Sequence, residues 1–408
     1  MRIGEFAKKN DVSIDTLRHY MDLELIVPHK KGSYYYFGEG VQKSFDKINE
    51  LKGMGFTLKE IRNIFLYSTL GNLRHEEKRN FYNSVYKEKL LNIEKEIESL
   101  NNSRESILHK LDEIRNKDFG DEKTYGLDIS NLELFSCSDC GASFKIESAN
   151  IENNLITNGR LSCGCGKNLI IEDGILIYGD NEKAFVDLDF ENVGEYIEKT
   201  DDEFLGNLYK NIKWIRENVD FSELNNGLIV ELGTGFGFSI RNLLDKIPEN
   251  STYIAVDHNI NKLKYIKSVL EKSCVERNII FLCCDFKEIP LKKKSVDCIL
   301  DFVGSTSYGF ESSDFLMNIV DKYSKDQAIL IGSYFLFANF MPDGNIAKES
   351  RHIFTFDWIS PEIEKLGYIK KSDYKSGYIN NSCEFESFFV KGEKIYSYLY
   401  YGGKGKSL

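Results

Sequence analysis

Four cysteines near the middle of the chain have the residue type and the spacing of metal ligands. The pair Cys137 and Cys140 is separated by 22 residues from the pair Cys163 and Cys165, and glycines lie beside both pairs. Two cysteine pairs in tight turns suit tetrahedral coordination of Zn²⁺ by four thiolates. The alternative is two reduced cysteine pairs in a small β domain. No histidine lies near them in the sequence, which argues against a catalytic site with a histidine ligand.

Glycines and acidic residues at the ends of apolar segments form a second set of candidate binding residues. Residues 227–237 form an apolar segment that ends in a glycine-rich turn, and a helix is predicted directly after it. Such a turn lets the backbone approach a ligand at a helix N-terminus. Three later apolar segments end in Asp257, Asp285 and Asp301. These carboxylates could bind ribose hydroxyls, as in a dinucleotide-dependent enzyme, or they could be ordinary acids that cap helices.

The elements that carry these residues alternate between strand and helix. Over residues 226–408 this alternation predicts a Rossmann-like α/β domain with a mainly parallel sheet. Two strand-like segments near the C-terminus are expected to close the sheet. Residues 193–219 carry apolar side chains at helical spacing and are predicted to cover the ligand cleft. The fold class predicted for the whole chain is multidomain, with α-helical segments, a small ribbon and this α/β domain.

Four sequence motifs decide between the possible ligands of the α/β domain. In order they are Glu-x-Gly-x-Gly-x-Gly from residue 231, an acid at 257, Asp-x-x-x-x-Pro from 285, and Ser-Val-Asp-x-Ile from 295. Together they resemble the class I S-adenosylmethionine (SAM)-dependent methyltransferases, including UbiE-like enzymes. The cysteine segment similarly resembles the zinc ribbon that precedes some of these enzymes, in which the metal is structural.

The resemblance implies which residues would bind the cofactor. Glu231, Gly233 and Gly235 would contact its methionine part, and Asp257 would take the ribose hydroxyls. The adenine would be bordered by Asp285 and Phe286. Asp301 is a candidate for orienting or deprotonating the methyl acceptor. The chain has neither an Asn-Pro-Pro-Tyr or Asp-Pro-Pro-Tyr motif nor a Pro-Cys dipeptide, so methylation of DNA bases lacks its usual sequence support.

The N-terminal residues contain short amphipathic segments. Ile3, Phe6 and Ala7 are spaced for one buried helix face, and Ser13 is a suitable N-cap for a second helix. Two helices joined by a tight turn form a helix-turn-helix, whose second helix enters the major groove of DNA. This spacing alone would also be compatible with any small helical domain.

Further motifs run through residues 2–65: Ile3-Gly4-Glu5, Thr16-Leu17-Arg18-His19-Tyr20, Leu25-Ile26 with Pro28, and Gly55-Phe56-Thr57-Leu58-Lys59-Glu60-Ile61. They resemble the MerR family of transcription regulators. The resemblance implies binding to double-stranded promoter DNA by a winged helix-turn-helix. It places the following residues at the DNA: Thr16, Arg18 and Tyr20 on or beside the recognition helix, and Lys30, Lys31 and Tyr36 in the wing. The family's wing arginine is absent, because the aligned residues are Ser33-Tyr34-Tyr35-Tyr36.

Residues 76–117 carry a heptad pattern uninterrupted by proline or glycine. Positions at alternating spacings of three and four are apolar, except that Arg104 occupies one of them. The apolar residues are Leu90, Ile93, Ile97, Leu100, Ile107, Leu111 and Ile114. The pattern predicts a coiled coil, and the MerR resemblance implies that it holds a homodimer together. The alternative is a long helix packed on its own domain.

Composition and charge limit the function classes. Residues 1–75 contain twelve Lys/Arg and nine Asp/Glu, a balance of +3. The net charge of the whole chain is −11, so the remaining residues carry −14. A mildly basic N-terminal part on an acidic body fits local DNA contact. No signal peptide is recognisable, and the longest apolar run, 328–341, is too short to span a bilayer. These features predict a cytoplasmic protein with no membrane partner.

The predicted domains are a DNA-binding domain at 1–75, a coiled-coil helix at 76–117, a zinc ribbon at 131–180, and a methyltransferase-like domain at 181–408 whose residues 181–225 form a helical cover. Three functions remain open. The chain could be a regulator whose C-terminal domain senses a small-molecule effector or the cofactor itself. It could be an active small-molecule methyltransferase with an autoregulatory DNA-binding part. In the third, the α/β domain is purely structural.

Overall fold

The structure is a computed structural model that describes residues 1–70, 74–116, 123–179, 193–273, 277–381, 385–386 and 388–405. The chain divides into two compact units, Met1–Lys117 and Asp118–Leu408. Residues 181–192, where the predicted helical cover begins, lie outside the described residues.

The N-terminal unit consists of helices and one short hairpin. Its elements are α1 (Ile3–Lys9), α2 (Ile14–Asp22), β1 (His29–Lys31), β2 (Tyr34–Tyr36), α3 (Glu39–Gly53), α4 (Leu58–Leu70) and α5 (His75–Arg115). The helix starts predicted from capping residues are confirmed. The Ser13 hydroxyl accepts a hydrogen bond from the Thr16 amide at 2.9 Å. The Thr57 amide donates to the Glu60 carboxylate at 2.7 Å, and the Glu60 amide donates to the Thr57 hydroxyl at 3.3 Å.

One apolar core joins the first four helices. Phe6 of α1 packs edge-on against Phe45 of α3 with ring centroids 5.6 Å apart, and Leu17 of α2 is fully buried in the same cluster. These contacts attach α1, α2 and α3 to one core. The opposite face of α2, with Asp15 and Arg18, is therefore left exposed.

Helix α5 has two parts with different surroundings. Its first turns lie on the core, where the rings of Phe81 and Tyr67 stack with centroids 4.0 Å apart and Lys89 pairs with Glu60 at 3.2 Å. The rest of the helix exposes the apolar seam, and Leu100 is 63% exposed. No residue of α5 is buried within the single chain. A helix packed wholly on its own domain is therefore not observed.

One sheet of twelve strands runs through the described part of the C-terminal unit. Its strands are β3 (Leu127–Asp128), β4 (Lys145–Glu152), β5 (Leu155–Ser162), β6 (Asn168–Glu172), β7 (Ile175–Tyr178), β8 (Leu228–Leu232), β9 (Thr252–Asp257), β10 (Asn278–Cys283), β11 (Val296–Phe302), β12 (Ser324–Asn339), β13 (Tyr368–Lys375) and β14 (Lys394–Lys404). The spatial order is β13-β14-β12-β11-β8-β9-β10-β7-β6-β5-β3, with β4 paired to β5. The neighbouring strands β7, β10, β9, β8, β11 and β12 are parallel to one another. Strand β6 is antiparallel to β7, and β14 is antiparallel to β12.

The helices of this unit lie on both faces of the sheet. They are α6 (Val193–Lys199), α7 (Asp202–Asn218), α8 (Phe238–Leu243), α9 (Ile260–Glu271), α10 (Gly304–Gly309), α11 (Leu316–Val320) and α12 (Phe356–Lys365). Alternate residues of β8 enter different cores, because successive strand side chains point to opposite faces. Val230 belongs to one cluster and Ile229 to the other. The central strands are consequently buried on both sides, as in doubly wound folds.

The direction of strand order changes at β8. Strands β9 and β10 follow on one side of it, and β11 and β12 follow on the other. In open α/β sheets, ligands bind beyond the carboxyl ends of the strands at such a switch point. A ligand site is therefore expected among the residues that follow β8, β9, β10 and β11.

Strands β4 to β7, which lie between and after the two cysteine pairs in the chain, are part of the same sheet. Strand β7 pairs in parallel with β10, from Ile175 opposite Phe281 to Ile177 opposite Cys283. A zinc ribbon at 131–180 and a methyltransferase-like domain at 181–408 are predicted as separate domains, whereas one compact unit comprises Asp118–Leu408. The physical reason is that β7 covers the edge of β10 and so removes an unpaired strand edge.

Within the described ranges, no helix combines the length and the apolarity that crossing a bilayer requires.

Candidate functional site

A large cavity opens at the switch point of the C-terminal unit. Its volume is about 1500 Å³, and its walls include the turn after β8, the residues after β10 and β11, and helices α6 and α7. Small-molecule pockets commonly enclose ~300–1,000 Å³. The cavity is therefore large enough for two small molecules at once.

The turn after β8 needs glycine for two different reasons. Gly233, Gly235 and Gly237 all have positive φ, at +72°, +53° and +75°. A Cβ atom at Gly237 would lie 2.2 Å from Cδ1 of Ile266, so a larger residue would collide with α9. Gly233 and Gly235 line the cavity instead, and their lack of side chains brings the backbone to the cavity surface.

Asp257, at the end of β9, holds this turn. One carboxylate oxygen accepts a hydrogen bond from the Gly235 amide at 2.7 Å, and the other accepts one from the Asn259 amide at 2.8 Å. The side chain is buried and is not among the residues that line the cavity. Its visible role is to position the glycine turn, which differs from the direct ribose contact that the resemblance implied.

Glu231, in β8, also lies behind the turn. It is buried, and the Thr234 hydroxyl donates to its carboxylate at 2.8 Å. Burial raises the pKa of Glu231 to about 7, against the opposing effects of Thr234 and Tyr253. Because Glu231 does not line the cavity, the structure gives it contact with the turn and not with the cavity itself.

Asp285 and Phe286, after β10, do line the cavity. Asp285 is exposed and accepts a hydrogen bond from the Lys287 amide at 2.8 Å, which starts a short 3₁₀ turn. A Cβ atom at Gly233 would lie 3.7 Å from Cζ of Phe286, so this ring faces the glycine turn. The structure thus brings together Gly233, Gly235, Asp285 and Phe286 from the predicted cofactor set.

Asp301, the predicted acceptor-side residue, is fully buried and lies outside the cavity wall. Its carboxylate accepts hydrogen bonds from the amide and the hydroxyl of Ser305, so it caps α10. Burial raises its pKa to about 6. The expectation that Asp301 faces the acceptor is corrected, because its side chain points away from the cavity into the start of α10.

Val303 marks strained backbone at the cavity wall. It has φ of +69°, a region that β-branched residues rarely adopt. Its amide donates to the Ser333 carbonyl at 2.9 Å, which ties the end of β11 to β12. Such strain costs about 1–3 kcal/mol and persists where the surroundings enforce it. Sequence patterns contain no signal for it.

Several cavity residues were missed by the sequence analysis. His258 and Lys262 line the cavity beside the glycine turn, and the Lys262 ammonium lies 5.6 Å from the ring centroid of Phe236. His258 directly follows Asp257, so its position after a strand was the available signal. Glu386 also lines the cavity and had no motif to identify it.

The predicted cover occupies one side of the cavity. Tyr196 of α6 and Phe204 and Leu208 of α7 line it. A buried polar network attaches α7 to the sheet. Asn211 donates to the Ser397 hydroxyl of β14 at 2.8 Å, and that hydroxyl donates to Asn207 at 2.6 Å. These bonds hold the cover in register with the sheet.

The four predicted metal ligands converge in the C-terminal unit. The sulfur atoms of Cys137, Cys140, Cys163 and Cys165 all lie within 4.8 Å of one another. The separations include 3.3 Å between Cys140 and Cys163 and 3.5 Å between Cys137 and Cys165. Tetrahedral zinc with Zn–S bonds of about 2.3 Å requires S···S distances of about 3.8 Å. The cluster is therefore close to the size that a metal ion needs.

Two tight turns place these cysteines. The Gly141 amide donates to the Cys137 carbonyl and the Gly166 amide to the Cys163 carbonyl, both at 2.9 Å. Both glycines have positive φ. The Tyr178 hydroxyl, at the end of β7, lies 3.6 Å from the Cys137 sulfur. A residue of the continuous sheet thus supports the ligand cluster.

The predicted DNA contacts lie on two elements of the N-terminal unit. Arg18 is exposed on α2 and pairs with Asp15 at 2.9 Å, while the Thr16 hydroxyl is bonded to that of Ser13 at 2.8 Å. Lys30 and Lys31 are exposed on β1, where they pair with Tyr35 and Tyr34 of β2. Tyr36, opposite His29, is also exposed.

Tyr20 differs from these residues. It is only 3% exposed, and its ring packs against Phe45 with centroids 6.2 Å apart. Lys52 donates to its hydroxyl at 3.2 Å. The prediction that Tyr20 contacts DNA is therefore corrected, because the helical spacing that brings it near Arg18 also turns its ring into the core.

Arg2 supplies the hairpin with a cation that the sequence analysis did not find. Its guanidinium carbon lies 4.5 Å from the ring centroid of Tyr34, and Arg2 forms a β-bridge with Tyr36. Tyr34 stands within the stretch where the family's wing arginine is absent. The hairpin thus contains an arginine brought from elsewhere in the chain.

Comparison with protein families identifies both units. Residues 1–68 match the family described as MerR HTH family regulatory protein, and residues 229–319 match the family described as Methyltransferase domain. The chain therefore combines an N-terminal MerR helix-turn-helix domain with a C-terminal methyltransferase domain. No curated protein matches the sequence.

Solved structures similar to the C-terminal unit include methyltransferases. A SAM-dependent methyltransferase from Aquifex aeolicus is 17% identical, with 53% of this chain and 100% of that chain covered and a TM-score of 0.35. A structure titled as a putative sarcosine dimethylglycine methyltransferase from Galdieria sulphuraria is 11% identical, with 48% and 86% covered and a TM-score of 0.38.

Proposed function

We propose that this protein is a DNA-binding transcription regulator whose C-terminal domain binds SAM and senses or methylates a small-molecule effector. The observation that carries the proposal is the cavity at the switch point, which is lined by Gly233, Gly235, Asp285 and Phe286. One chain contains both a MerR helix-turn-helix and a methyltransferase domain with this cavity. This combination supports a coupling between ligand binding in the cavity and DNA binding.

The residues at the cavity fit the proposed cofactor. Side chains are missing at Gly233 and Gly235, which leaves backbone at the cavity surface, and a Cβ atom at Gly233 would lie 3.3 Å from Cα of Gly304. Phe286 offers an aromatic ring for adenine, and the exposed carboxylate of Asp285 offers a hydrogen-bond acceptor. When bound, SAM supplies an electrophilic methyl group.

The chain's own residues would act by positioning. Asp257 and Glu231 hold the glycine turn from behind, and α7 closes the cavity from the side. Holding an acceptor in line with a methyl donor supplies much of the catalysis that direct transfer needs. Asp301 stays outside this arrangement, because it caps α10.

Dimerisation through α5 forms part of the proposal. The seam residues Leu90, Ile97, Leu100, Ile107, Leu111 and Ile114 are exposed in the single chain. An apolar heptad seam on a helix of 41 residues is buried when two copies associate as a coiled coil. A homodimer would present two copies of α2 and of the β1–β2 hairpin, the wing of the proposed winged helix-turn-helix, to a palindromic promoter site.

We also infer that the four cysteines hold a structural Zn²⁺ ion. Four thiolates saturate tetrahedral zinc and leave no open position for a substrate. The ion would hold the β4–β5 hairpin and the turn before β6 at the edge of the sheet. A cytoplasmic location, where thiols stay reduced, suits this role.

The second candidate is an active small-molecule methyltransferase whose DNA-binding part regulates its own synthesis. The size of the cavity favours it, because about 1500 Å³ leaves room for an acceptor beside the cofactor. Transfer of radioactive methyl groups from SAM to extractable small molecules distinguishes the two candidates.

The primary test is isothermal titration of the full-length, zinc-loaded protein with SAM. Saturable binding of one molecule per chain is expected, and Gly233→Val should abolish it. Gly206→Val in α7 serves as the control, because a Cβ atom there would have no atom within 4 Å. No binding by folded wild-type protein would contradict the cofactor assignment. Repeating the titration with duplex DNA from the protein's own promoter region tests the link, since coupled sites change each other's affinity equally.

A further inference from the structure

The end of the cavity formed by α6 contains a carboxylate that the proposed cofactor does not use. Glu386 lines the cavity and accepts a hydrogen bond from the Tyr196 hydroxyl at 2.7 Å. Tyr196 also lines the cavity, and its ring stacks on Phe385 with centroids 6.0 Å apart. One carboxylate oxygen is thus held in place at the cavity wall.

Aromatic rings surround this carboxylate. Phe388, two residues along the chain, packs against Phe310, Phe335 and Phe204 with ring centroids 5.5, 5.8 and 6.5 Å apart. Phe204, Phe310 and Phe335 line the same cavity. An apolar ligand body placed here would contact several ring faces, and ring faces also attract cations.

The carboxylate has no cation of its own within the described ranges. No lysine, arginine or histidine described there forms an ion pair with Glu386, and Lys199 beside Phe385 pairs with Glu195 at 2.8 Å. Burial raises the pKa of Glu386 to about 7, and the hydrogen bond from Tyr196 opposes this only in part. A carboxylate in apolar surroundings is stabilised by a cationic partner, which a ligand can supply.

The aromatic end connects directly to the switch point. Tyr196 and Phe388 pack against the same apolar cluster as Val303 and Phe238, which follow β11 and the glycine turn. A molecule bound at Glu386 would therefore share the cavity with a cofactor bound at Gly233 and Gly235.

We propose that Glu386 and Tyr196 form the binding site for the amine group of the effector or methyl acceptor, a small amine with an apolar, aromatic-sized body. The proposal rests on the proposed function, because it assigns the ligand of the same cavity. The Glu386 carboxylate would pair with the ammonium group, and the rings of Phe204, Phe310 and Phe388 would surround the apolar body.

The test compares 2-phenylethylamine with 2-phenylethanol, which has a similar shape but no positive charge. Both are titrated into full-length, zinc-loaded protein saturated with S-adenosylhomocysteine. The amine is expected to bind wild-type protein at least tenfold more tightly than the alcohol. Glu386→Gln should weaken amine binding at least tenfold and leave alcohol binding within twofold. Tyr196→Phe should weaken the amine by a smaller factor.

Glu311→Gln is the matched control, because Glu311 lines the cavity but is exposed. It should change amine affinity less than twofold. Equal affinity for amine and alcohol, no amine binding by wild-type protein, or unchanged amine binding in Glu386→Gln would overturn the proposal. Binding of S-adenosylhomocysteine to every variant separates this result from the cofactor assignment, which fails only if wild-type protein does not bind S-adenosylhomocysteine.

Discussion

The carboxylate of Asp257 accepts a hydrogen bond of 2.7 Å from the amide of Gly235. This bond joins the end of β9 to the glycine turn that follows β8, so one buried side chain connects two neighbouring strands at the switch point. The acid that sequence motifs assign to ribose binding is thereby also a support for the backbone that forms the cavity wall.

Replacement of Asp257 should therefore affect stability and ligand affinity together. Asp257→Ala removes the acceptor of two backbone amides, those of Gly235 and Asn259. Hydrogen bonds to charged groups contribute ~1.5–3 kcal/mol each, so the loss of both should lower the free energy of unfolding by about 3–6 kcal/mol. SAM affinity should fall at least tenfold. Urea denaturation and isothermal titration measure the two effects.

Asp285→Ala is the comparison for this variant. Asp285 is exposed and accepts only the Lys287 amide, so its loss should change stability by less than about 1 kcal/mol while still weakening SAM binding. If Asp257→Ala lowered affinity without changing stability, the supporting role of Asp257 would be refuted.

Glu231 should make stability depend on pH. Its ordinary pKa is 4.5, and burial raises it to about 7 in the folded protein. Between these values the folded state retains a proton that the unfolded state has lost, so this group's contribution falls as pH rises from about 4.5 to 7. The full change is at most about 3 kcal/mol.

Glu231→Gln removes this titration. The difference in unfolding free energy, variant minus wild type, should therefore rise by up to about 3 kcal/mol from pH 4 to pH 8. Urea denaturation at the two pH values measures the difference, and the exposed Glu311→Gln should show almost none. A pH profile parallel to that of wild type would show that Glu231 does not titrate in this range.

The cysteine cluster should bind one zinc ion per chain. Cys140→Ser should lose the metal, measured by elemental analysis, while Cys298→Ala should retain it because Cys298 is buried in β11 outside the cluster. Since β7 pairs with β10, metal loss should lower the melting temperature of the whole C-terminal unit, by about 5–10 °C. A separate low-temperature transition for residues 123–179 would contradict this continuity.

The seam of α5 should determine the oligomeric state. Leu100 is 63% exposed in the single chain and lies on the heptad seam. Leu100→Glu places a charge in the dimer interface and should shift the protein from dimer to a monomer of 47.0 kDa. Asn102→Glu, on the opposite face of the helix, should remain dimeric. Analytical ultracentrifugation measures both, and a dimeric Leu100→Glu variant would exclude this seam as the interface.

The exposed and buried residues of the N-terminal unit should differ in their effect on DNA binding. Arg18→Ala should weaken binding to promoter duplex by about 1–3 kcal/mol, and Lys31→Ala should reduce the salt dependence of affinity by about one unit. Tyr20→Phe keeps the buried ring and should change affinity little. Fluorescence anisotropy over a range of salt concentrations measures all three, and a loss for Tyr20→Phe as large as for Arg18→Ala would reverse the correction made above.

Local sequence patterns were sufficient for much of the fold. The caps at Ser13 and at Thr57 with Glu60 were predictable because a cap involves residues three positions apart. The glycine turn and the acids after β9 and β10 were recognisable for the same reason. The positions of Gly233, Gly235, Asp285 and Phe286 on one cavity wall follow from the order of parallel strands.

Other features depended on contacts between distant parts of the chain. Tyr20 and Arg18 are near neighbours on one helix, yet only packing against Phe45 shows that one ring is buried and the other side chain is exposed. Asp301 lies near the end of a strand as predicted, but its carboxylate accepts the hydrogen bonds of Ser305 at the start of α10. Arg2 and Tyr34 are brought together by the hairpin.

The sequence by itself determined the two kinds of domain, the heptad seam, the four cysteines and the glycine turn, because each depends on residue type and short-range spacing. The tertiary structure alone decided that strands β4 to β7, next to the cysteine turns, extend the central sheet through the pairing of β7 with β10. It also decided that Glu386 meets Tyr196, 190 residues earlier in the chain, inside the cavity. The physical reason is that strand pairing and burial join residues far apart in sequence, and no local pattern records which distant surface each residue will meet.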